Sequence, residues 1–401
     1  MHRQIPKILE DKKNIGSILL IAFGFSLPLS VAINNFFAIS LIMLWIYQKK
    51  YYETWQLIKQ SKVLISGLIF YSIHILGLIW TEDLTWGLHI LKKEWFFLLL
   101  PIIMSFTKKE HIGYYISAFL LAMSISEILS YLVWLEIISP ILHATTYDPT
   151  PFMSHISYNP FLAFSIYLIG YFVLFDKTLS KTKKILMILF FITMSINMFI
   201  TGGRAGQVGY IVVIFVLFAQ YFDKNLFKSL ILSTLLLSFV FTMAYYNSRV
   251  FNDRINLVVS NIKEFDQNKN TSVGLRMNFA INTWEIIKND PFIGVGTGDF
   301  KKSYEKVNVS KSPEAISTVQ PHNMYLLEMT QFGLLGLFSL MYIFYTQLSF
   351  SHRETDMLKS KIGMALPMLF LVIMLSDSYL LGHFSTMLFV YFSAFLYKET
   401  K

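Results

Sequence analysis

The sequence predicts an all-α polytopic membrane protein, with about twelve transmembrane helices and one large polar loop on a single face. Two observations predict it. Of the 401 residues, 54% are hydrophobic and only 15% charged, with a mean hydropathy of +0.52. A soluble domain carries roughly 25% charged residues. Apolar runs of roughly 17–25 residues, the length that crosses a hydrocarbon core, also recur along the chain. No internal repeat and no low-complexity segment interrupts them.

In order, the expected spans are 15–30, 31–47, 63–80, 90–107, 114–136, 159–175, 185–200, 207–222, 229–247, 323–347, 361–378 and 381–397. The basic start (Arg3, Lys7, Lys12, Lys13) precedes an apolar region that runs on to Tyr47 without a small-residue cleavage site. It reads as two uncleaved spans hinged near Pro28–Asn35 rather than as a signal peptide. The organisation is therefore 1–247 (nine spans), 248–322 (the large loop) and 323–401 (three spans).

The formal net charge of +9 is distributed as topology, not as a nucleic-acid surface. Both termini and the segments 48–62, 108–113, 176–184, 223–228 and 350–361 carry two to four lysines or arginines each. The short connections 31–35, 81–89, 137–158 and 379–380 carry none, and 201–206 carries only Arg204. Cationic loops stay on the cytoplasmic side, so both termini are expected there and the 248–322 loop on the outer face. No basic patch interleaved with aromatics stands outside the spans, which excludes a nucleic-acid partner. With no cysteine, disulfides, thiolate metal sites and cysteine nucleophiles are also excluded.

Within the large loop, residues 274–288 have helical spacing, with Met277, Ala280, Ile281, Trp284 and Ile287 as an apolar stripe. This stripe suits the membrane surface or the bundle. Asp290-Pro291 ends the helix. Arg276 lies on the flank of the stripe, able to face a cavity. Gly294, Gly296 and Gly298 alternate in a turn that lacks the context and spacing of a dinucleotide fingerprint; the turn brings the chain back to the membrane. The 137–158 loop reads as a lid or a connector.

Three cations depart from the charge bias: Arg204, Lys92 and Lys93, all at the outer level. A cation held at the edge of a bundle needs a partner or a purpose. For the lysines, snorkelling to lipid phosphates stands beside a role in substrate binding. Arg204 follows Gly202 and Gly203 at the start of a helix, where free N–H groups and a bidentate guanidinium together suit phosphate; a lipid headgroup is the alternative. His322, opening the tenth span in Pro-His-Asn, can take a proton near neutral pH. No metal site is expected, since carboxylates are scattered and Asp290 and Asp299 flank the glycine turn without a third ligand. No cofactor is expected.

At these residues the chain resembles the O-antigen ligase and polymerase superfamily of bacterial envelope glycosyltransferases. The shared features are Gly-Gly-Arg-Ala-Gly (202–206), the Arg276 helix leading to Asp-Pro-Phe-Ile-Gly-Val-Gly-Thr-Gly-Asp-Phe (290–300), and Pro-His-Asn (321–323) with Gly333 and Gly336 downstream. Within the superfamily it is most similar to the lipopolysaccharide O-antigen ligases. One position departs from their pattern: Ala280 stands where leucine is common. The resemblance implies a GT-C-like membrane fold in the bacterial inner membrane, with a periplasmic loop carrying the active site. It also implies metal-independent, inverting transfer of a glycan from undecaprenyl pyrophosphate to a sugar hydroxyl of lipid A–core. By position, Arg204 and Arg276, supported by Gly203, Lys92 and Lys93, would bind pyrophosphate, and His322 would be the base.

Two alternatives stay in the same superfamily, an O-antigen polymerase and a protein O-oligosaccharyltransferase. A third, a lipid-glycan flippase or transporter, would predict ionisable groups deep in the spans and repeat symmetry. The span interiors hold few such groups (Glu127, Glu328, Asp377).

Overall fold

The computed structural model describes residues 14–223, 225–265 and 267–399. The basic N-terminal segment 1–13 lies outside the described residues. Helices account for the described fold, and no strand occurs among these residues. The chain is a multi-pass membrane protein. Among the described residues, seven helices are long and apolar enough to cross a membrane, or eight if one bent pair is a single span.

Each of the twelve expected spans coincides with a helix or a helix pair, but five are shorter than a simple crossing. Helix α1 (Ile15–Ser26) and α2 (Val31–Tyr47) are separated by a turn at 27–30, capped where the Ser30 hydroxyl accepts from the Ile33 amide at 3.4 Å. Helix α2 continues into α3 (Tyr51–Gln60) across a 108° bend, in which Lys49 takes a φ of +50°. The segment expected to be a plain cytoplasmic loop is thus largely helical. Helix α4 (Lys62–Leu76) follows. The expected 90–107 span is divided at Trp95 into α5 (Leu84–Glu94) and α6 (Phe96–Phe106).

The bundle is organised around α8 (His155–Phe175), 78% buried, which follows α7 (Ile112–Trp134). It packs most extensively on α10 (Arg204–Tyr221) and then on α9 (Lys181–Ile200). Between helices in lipid, association rests on close van der Waals packing, which small residues allow. Gly206 of α10 is one such residue: a Cβ there would overlap Asn159 of α8. Helix α11 (Leu226–Asn247) is at the other extreme, 11% buried, with Leu235 and Phe239 facing outward.

The 248–322 segment is not an irregular loop. It folds into α12 (Arg249–Lys263), α13 (Ser272–Asn289) and α14 (Phe300–Lys311), which lead into α15 (Met324–Arg353), α16 (Met357–Ile373) and α17 (His383–Leu396). Helix α13 stops at Asn289, ahead of Pro291. Phe279, Asn282, Thr283 and Ile286 are buried together with Ile287 of the apolar stripe, whereas Ile281 and Trp284 of that stripe are half exposed. Tertiary contacts decide this. Asn278 and Asn282 face α14, where each Nδ2 lies 3.2–3.5 Å from Asn308 Oδ1 and near the Tyr304 hydroxyl. A polar pairing therefore joins α13 to α14 beside the apolar stripe.

The glycine turn seats this layer on the bundle. Gly294, Gly296 and Gly298 all have φ between +72° and +103°, a region that side chains rarely adopt. The Val295 and Gly296 amides donate to the Thr330 and Gln331 carbonyls of α15, both at 2.9 Å. On the other side, Thr297 Oγ1 donates to the His74 carbonyl at 2.6 Å. Asp299, far from acting as a metal ligand, accepts from Thr81 Oγ1 and from the Glu82 and Asp83 amides at 2.6–2.9 Å.

A candidate active site at three arginines and a histidine

The turn before α10 is built by Asn159. Its Nδ2 donates to the Gly203 carbonyl at 3.1 Å and to the Met198 carbonyl at 3.3 Å, and its Oδ1 accepts from Thr201 Oγ1 at 2.8 Å. Gly203 must be glycine because a Cβ would lie 2.5 Å from the His155 carbonyl oxygen and 2.6 Å from Asn159 Cγ. The turn ends in α10 with no side chain capping its N-terminus. The Arg204 amide donates to the Gly202 carbonyl at 3.2 Å, and the amides that follow it, with no side-chain cap, can meet an anion.

Arg204, at that N-terminus, lines a narrow cleft together with Arg254 of α12 and Arg276 of α13. Three guanidinium groups thus converge from three helices. None makes an ion pair among the described residues. Arg204 Nη2 donates to Ser272 Oγ at 3.1 Å, and the buried Nε atoms of Arg254 and Arg276 have no hydrogen-bond partner. Three like charges facing a single carboxylate, Asp377, leave the cleft with excess positive charge, which a polyanion would relieve. The other wall is formed by His155, Ser376, Asp377 and Tyr379. The Tyr379 hydroxyl donates to the Ile156 carbonyl at 3.1 Å. Burial, and then the Asp377 carboxylate, pushes its phenol above the usual range, which keeps it a neutral donor.

His322 joins the cleft through Asp377. Its Nδ1 lies 3.2 Å from Asp377 Oδ1, and its ring stacks on Phe279 at 5.8 Å. Asp377 is itself held by the Ser378 amide at 2.8 Å. An ionised carboxylate only accepts, so this contact puts the proton on Nδ1 and leaves Nε2 as the basic nitrogen. The backbone at His322 has φ +52°, an uncommon conformation for a residue with a side chain. The next residue is firmly held: Asn323 caps α15 by accepting from the Leu326 amide at 3.1 Å, while its Nδ2 donates to the Leu375 carbonyl at 3.1 Å.

Of the residues expected from sequence, Arg204, Gly203 and Arg276 line the cleft and His322 is tied to it. Lys92 and Lys93 are exposed on α5, and neither lines the cleft. Arg254, Asp377, His155 and Tyr379 are additions. Asp377 carried a signal, an ionisable residue at the end of a span. Arg254 carried none, being one cation in a mixed-charge segment. The 137–158 loop closes on the site from α8: His155 Nδ1 pairs with Asp148 at 2.6 Å, and the Tyr147 hydroxyl reaches Asp253 of α12 at 3.4 Å. No three-ligand metal group occurs at the cleft among the described residues. The one group of that type, His74, Glu94 and Glu328, lies elsewhere. Its members are too widely separated in sequence for spacing to show it.

Beside the Thr201–Gly203 turn, an apolar groove of about 590 Å³ opens between α7, α9 and α11. Ile200 and Ser248 form its end nearest the arginines, and Trp134, Ile196, Phe239 and Val240 line it further along. The Ser248 hydroxyl donates to the Phe199 carbonyl at 2.6 Å, which joins α9 to the start of α12 at this point.

Residues 189–341 match the family model described as O-antigen ligase. This region contains Arg204, Arg254, Arg276 and His322, and stops before Asp377. No curated protein matches the chain.

Proposed function

We propose that this chain belongs to the O-antigen ligase and polymerase superfamily of membrane glycosyl-transferring enzymes and that it is an O-antigen ligase. It would transfer a glycan from undecaprenyl pyrophosphate to a sugar hydroxyl of lipid A–core, at the periplasmic face of the bacterial inner membrane, with both termini cytoplasmic. The observation that carries this reading is the convergence of Arg204, Arg254 and Arg276, none of them in an ion pair among the described residues, beside a histidine oriented by Asp377.

In this mechanism the acceptor oxygen attacks the anomeric carbon as the carbon–oxygen bond to pyrophosphate breaks. His322 Nε2 takes the hydroxyl proton, and the electron pair leaves on undecaprenyl pyrophosphate. The arginines and the α10 N-terminus stabilise the charge growing on that leaving group, a contribution of about 3–4 kcal/mol per well-placed donor. They supply positive charge where many phosphate enzymes use a metal, so no step passes through one. Attack from the side opposite the pyrophosphate inverts the anomeric centre. The apolar groove ending at Ile200 and Ser248 suits the prenyl chain. A pyrophosphate would then lie at the arginines while the chain remains in lipid.

The test is the surface glycolipid ladder of cells lacking the gene, complemented with wild type, Arg204→Ala, Arg276→Ala or His322→Ala at matched membrane levels. A ligase predicts unsubstituted lipid A–core in the deletion and in all three variants, with polymerised glycan accumulating on the lipid carrier. A core bearing a single repeat would identify a polymerase instead.

A further inference from the structure

About one turn inside α15, away from the arginine cleft, three ionisable side chains meet in a fully buried cluster. His74 comes from α4, Glu94 ends α5 and Glu328 lies on α15; each is 0% exposed. His74 Nε2 is 3.1 Å from Glu94 Oε1 and 3.4 Å from Glu328 Oε1. No other ion pair reaches either carboxylate among the described residues. Neither oxygen of Glu94 or of Glu328 has a hydrogen-bond partner.

The imidazole fixes what the cluster lacks. His74 Nδ1 lies 3.0 Å from the Phe70 carbonyl oxygen, which can only accept, so the proton sits on Nδ1. In the neutral ring, Nε2 then presents a lone pair to two carboxylates. Shared protons or a metal cation can resolve that arrangement, and the two differ in how many of the carboxylate oxygens they engage. A single proton on Nε2 would leave the cluster with one net negative charge and two oxygens unpartnered, in surroundings where an uncompensated charge is costly. A divalent metal would make the cluster neutral and could engage those oxygens. The Nδ1–H to carbonyl contact is also the usual way that a metal-bound histidine is oriented.

The spacing agrees. A tetrahedral site with metal–ligand bonds of about 2.0–2.2 Å has ligand–ligand edges of roughly 3.3–3.6 Å, close to the two separations seen here. The three donor atoms all lie within 4.8 Å of one another. We propose that His74, Glu94 and Glu328 bind one divalent transition metal of the zinc class, which pins α4, α5 and α15 together.

This metal is structural rather than part of glycan transfer. Its ligands carry the supports of the glycine turn: the His74 carbonyl accepts from Thr297, and the ring of Phe332, four residues after Glu328, meets the His74 ring at 4.4 Å. One imidazole and two carboxylates favour zinc, manganese or iron over copper(I), which prefers sulfur.

The experiment is the metal content of the full-length protein, purified in detergent through a tag without histidine and without chelators. The expected result is close to one equivalent of divalent transition metal per chain in wild type, falling at least tenfold in the Glu94→Gln/Glu328→Gln variant. Cobalt(II) exchanged into wild type should give the visible absorption of four-coordinate cobalt, and the variant should not. Two results would overturn the proposal. One is wild type holding less than a tenth of an equivalent after incubation with zinc(II), which would mean that the cluster shares protons alone. The other is a stoichiometry unchanged in the variant. If the variant does not fold, the wild-type stoichiometry and cobalt spectrum decide. Because the readout is metal and not glycan, the result does not depend on the ligase reading.

Discussion

His322 and Asp377 are joined from Nδ1 to Oδ1 at 3.2 Å although fifty-five positions separate them. The contact spans the start of α15 and the turn after α16, and it fixes which imidazole nitrogen is basic. Asp377→Asn keeps the shape but offers an N–H where Nδ1 requires an acceptor. Transfer is expected to fall by about 10²–10⁴-fold, the range that a positioned general base contributes. His322→Ala should fall similarly, and the double variant no further, because the pair acts as one unit. Steady-state rates of the three variants check this; additive losses would show two independent roles.

Removing any one of Arg204, Arg254 or Arg276 should lower kcat by about 10²–10³-fold, as loss of one preorganised donor does at other sites of growing negative charge. Arg276→Lys should recover little, since an ammonium cannot present two N–H groups to two phosphate oxygens at once. Single-turnover rates with the lipid-linked donor measure both. Full activity in Arg254→Ala would remove that residue from the site.

Gly203→Ala should destabilise the protein by about 1–3 kcal/mol, the cost of overpacking. The new methyl meets the His155 carbonyl oxygen and Asn159. Gly113→Ala is the control: a Cβ there meets nothing within 4 Å, and in a helix alanine is favoured over glycine. Thermal unfolding in detergent should show a lower midpoint for the first and an unchanged or higher one for the second.

Glu82 and Lys302 pair at 2.6 Å and hold α14 to the 81–83 loop. The hydrogen bond and then the charge of Lys302 hold the Glu82 carboxyl below its ordinary value of 4.5. A carboxyl depressed in the folded state stabilises above its unfolded value, and that stability is lost as pH falls through the folded one. Hydrogen exchange of α14 should therefore accelerate in acid below about pH 4.5, and Glu82→Gln should remove that dependence. The pair is solvent-exposed, so the effect should be small and should weaken with salt.

Seven of the twelve expected spans are legible in the sequence because hydrophobic length alone marks a helix able to cross a membrane. Bends are less so: the divisions at Trp95 and at 48–50 have no proline or glycine at the break itself, and Pro101 lies within a helix rather than at its end. Arg204, Gly203, Arg276 and His322 are legible because each sits where a turn or a helix start exposes it. Arg254 and Asp377 enter only when α12 and the turn after α16 fold onto them, and sequence distance hides that. The polar face of α13 is hidden for a related reason, since Asn278 and Asn282 find their partners on α14, some thirty positions away. His74, Glu94 and Glu328 were invisible as a group because three helices each supply one member.

The most direct measurement is glycan transfer by the purified protein, reconstituted with undecaprenyl pyrophosphate-linked glycan and lipid A–core, with wild type beside Arg276→Ala and His322→Ala. The predicted result is glycan attached to the core, with one undecaprenyl pyrophosphate released per transfer, and loss of at least about 99% of the rate in each variant. Equal transfer by all three proteins, or glycan lengthened on the lipid carrier with the core left bare, would contradict the account.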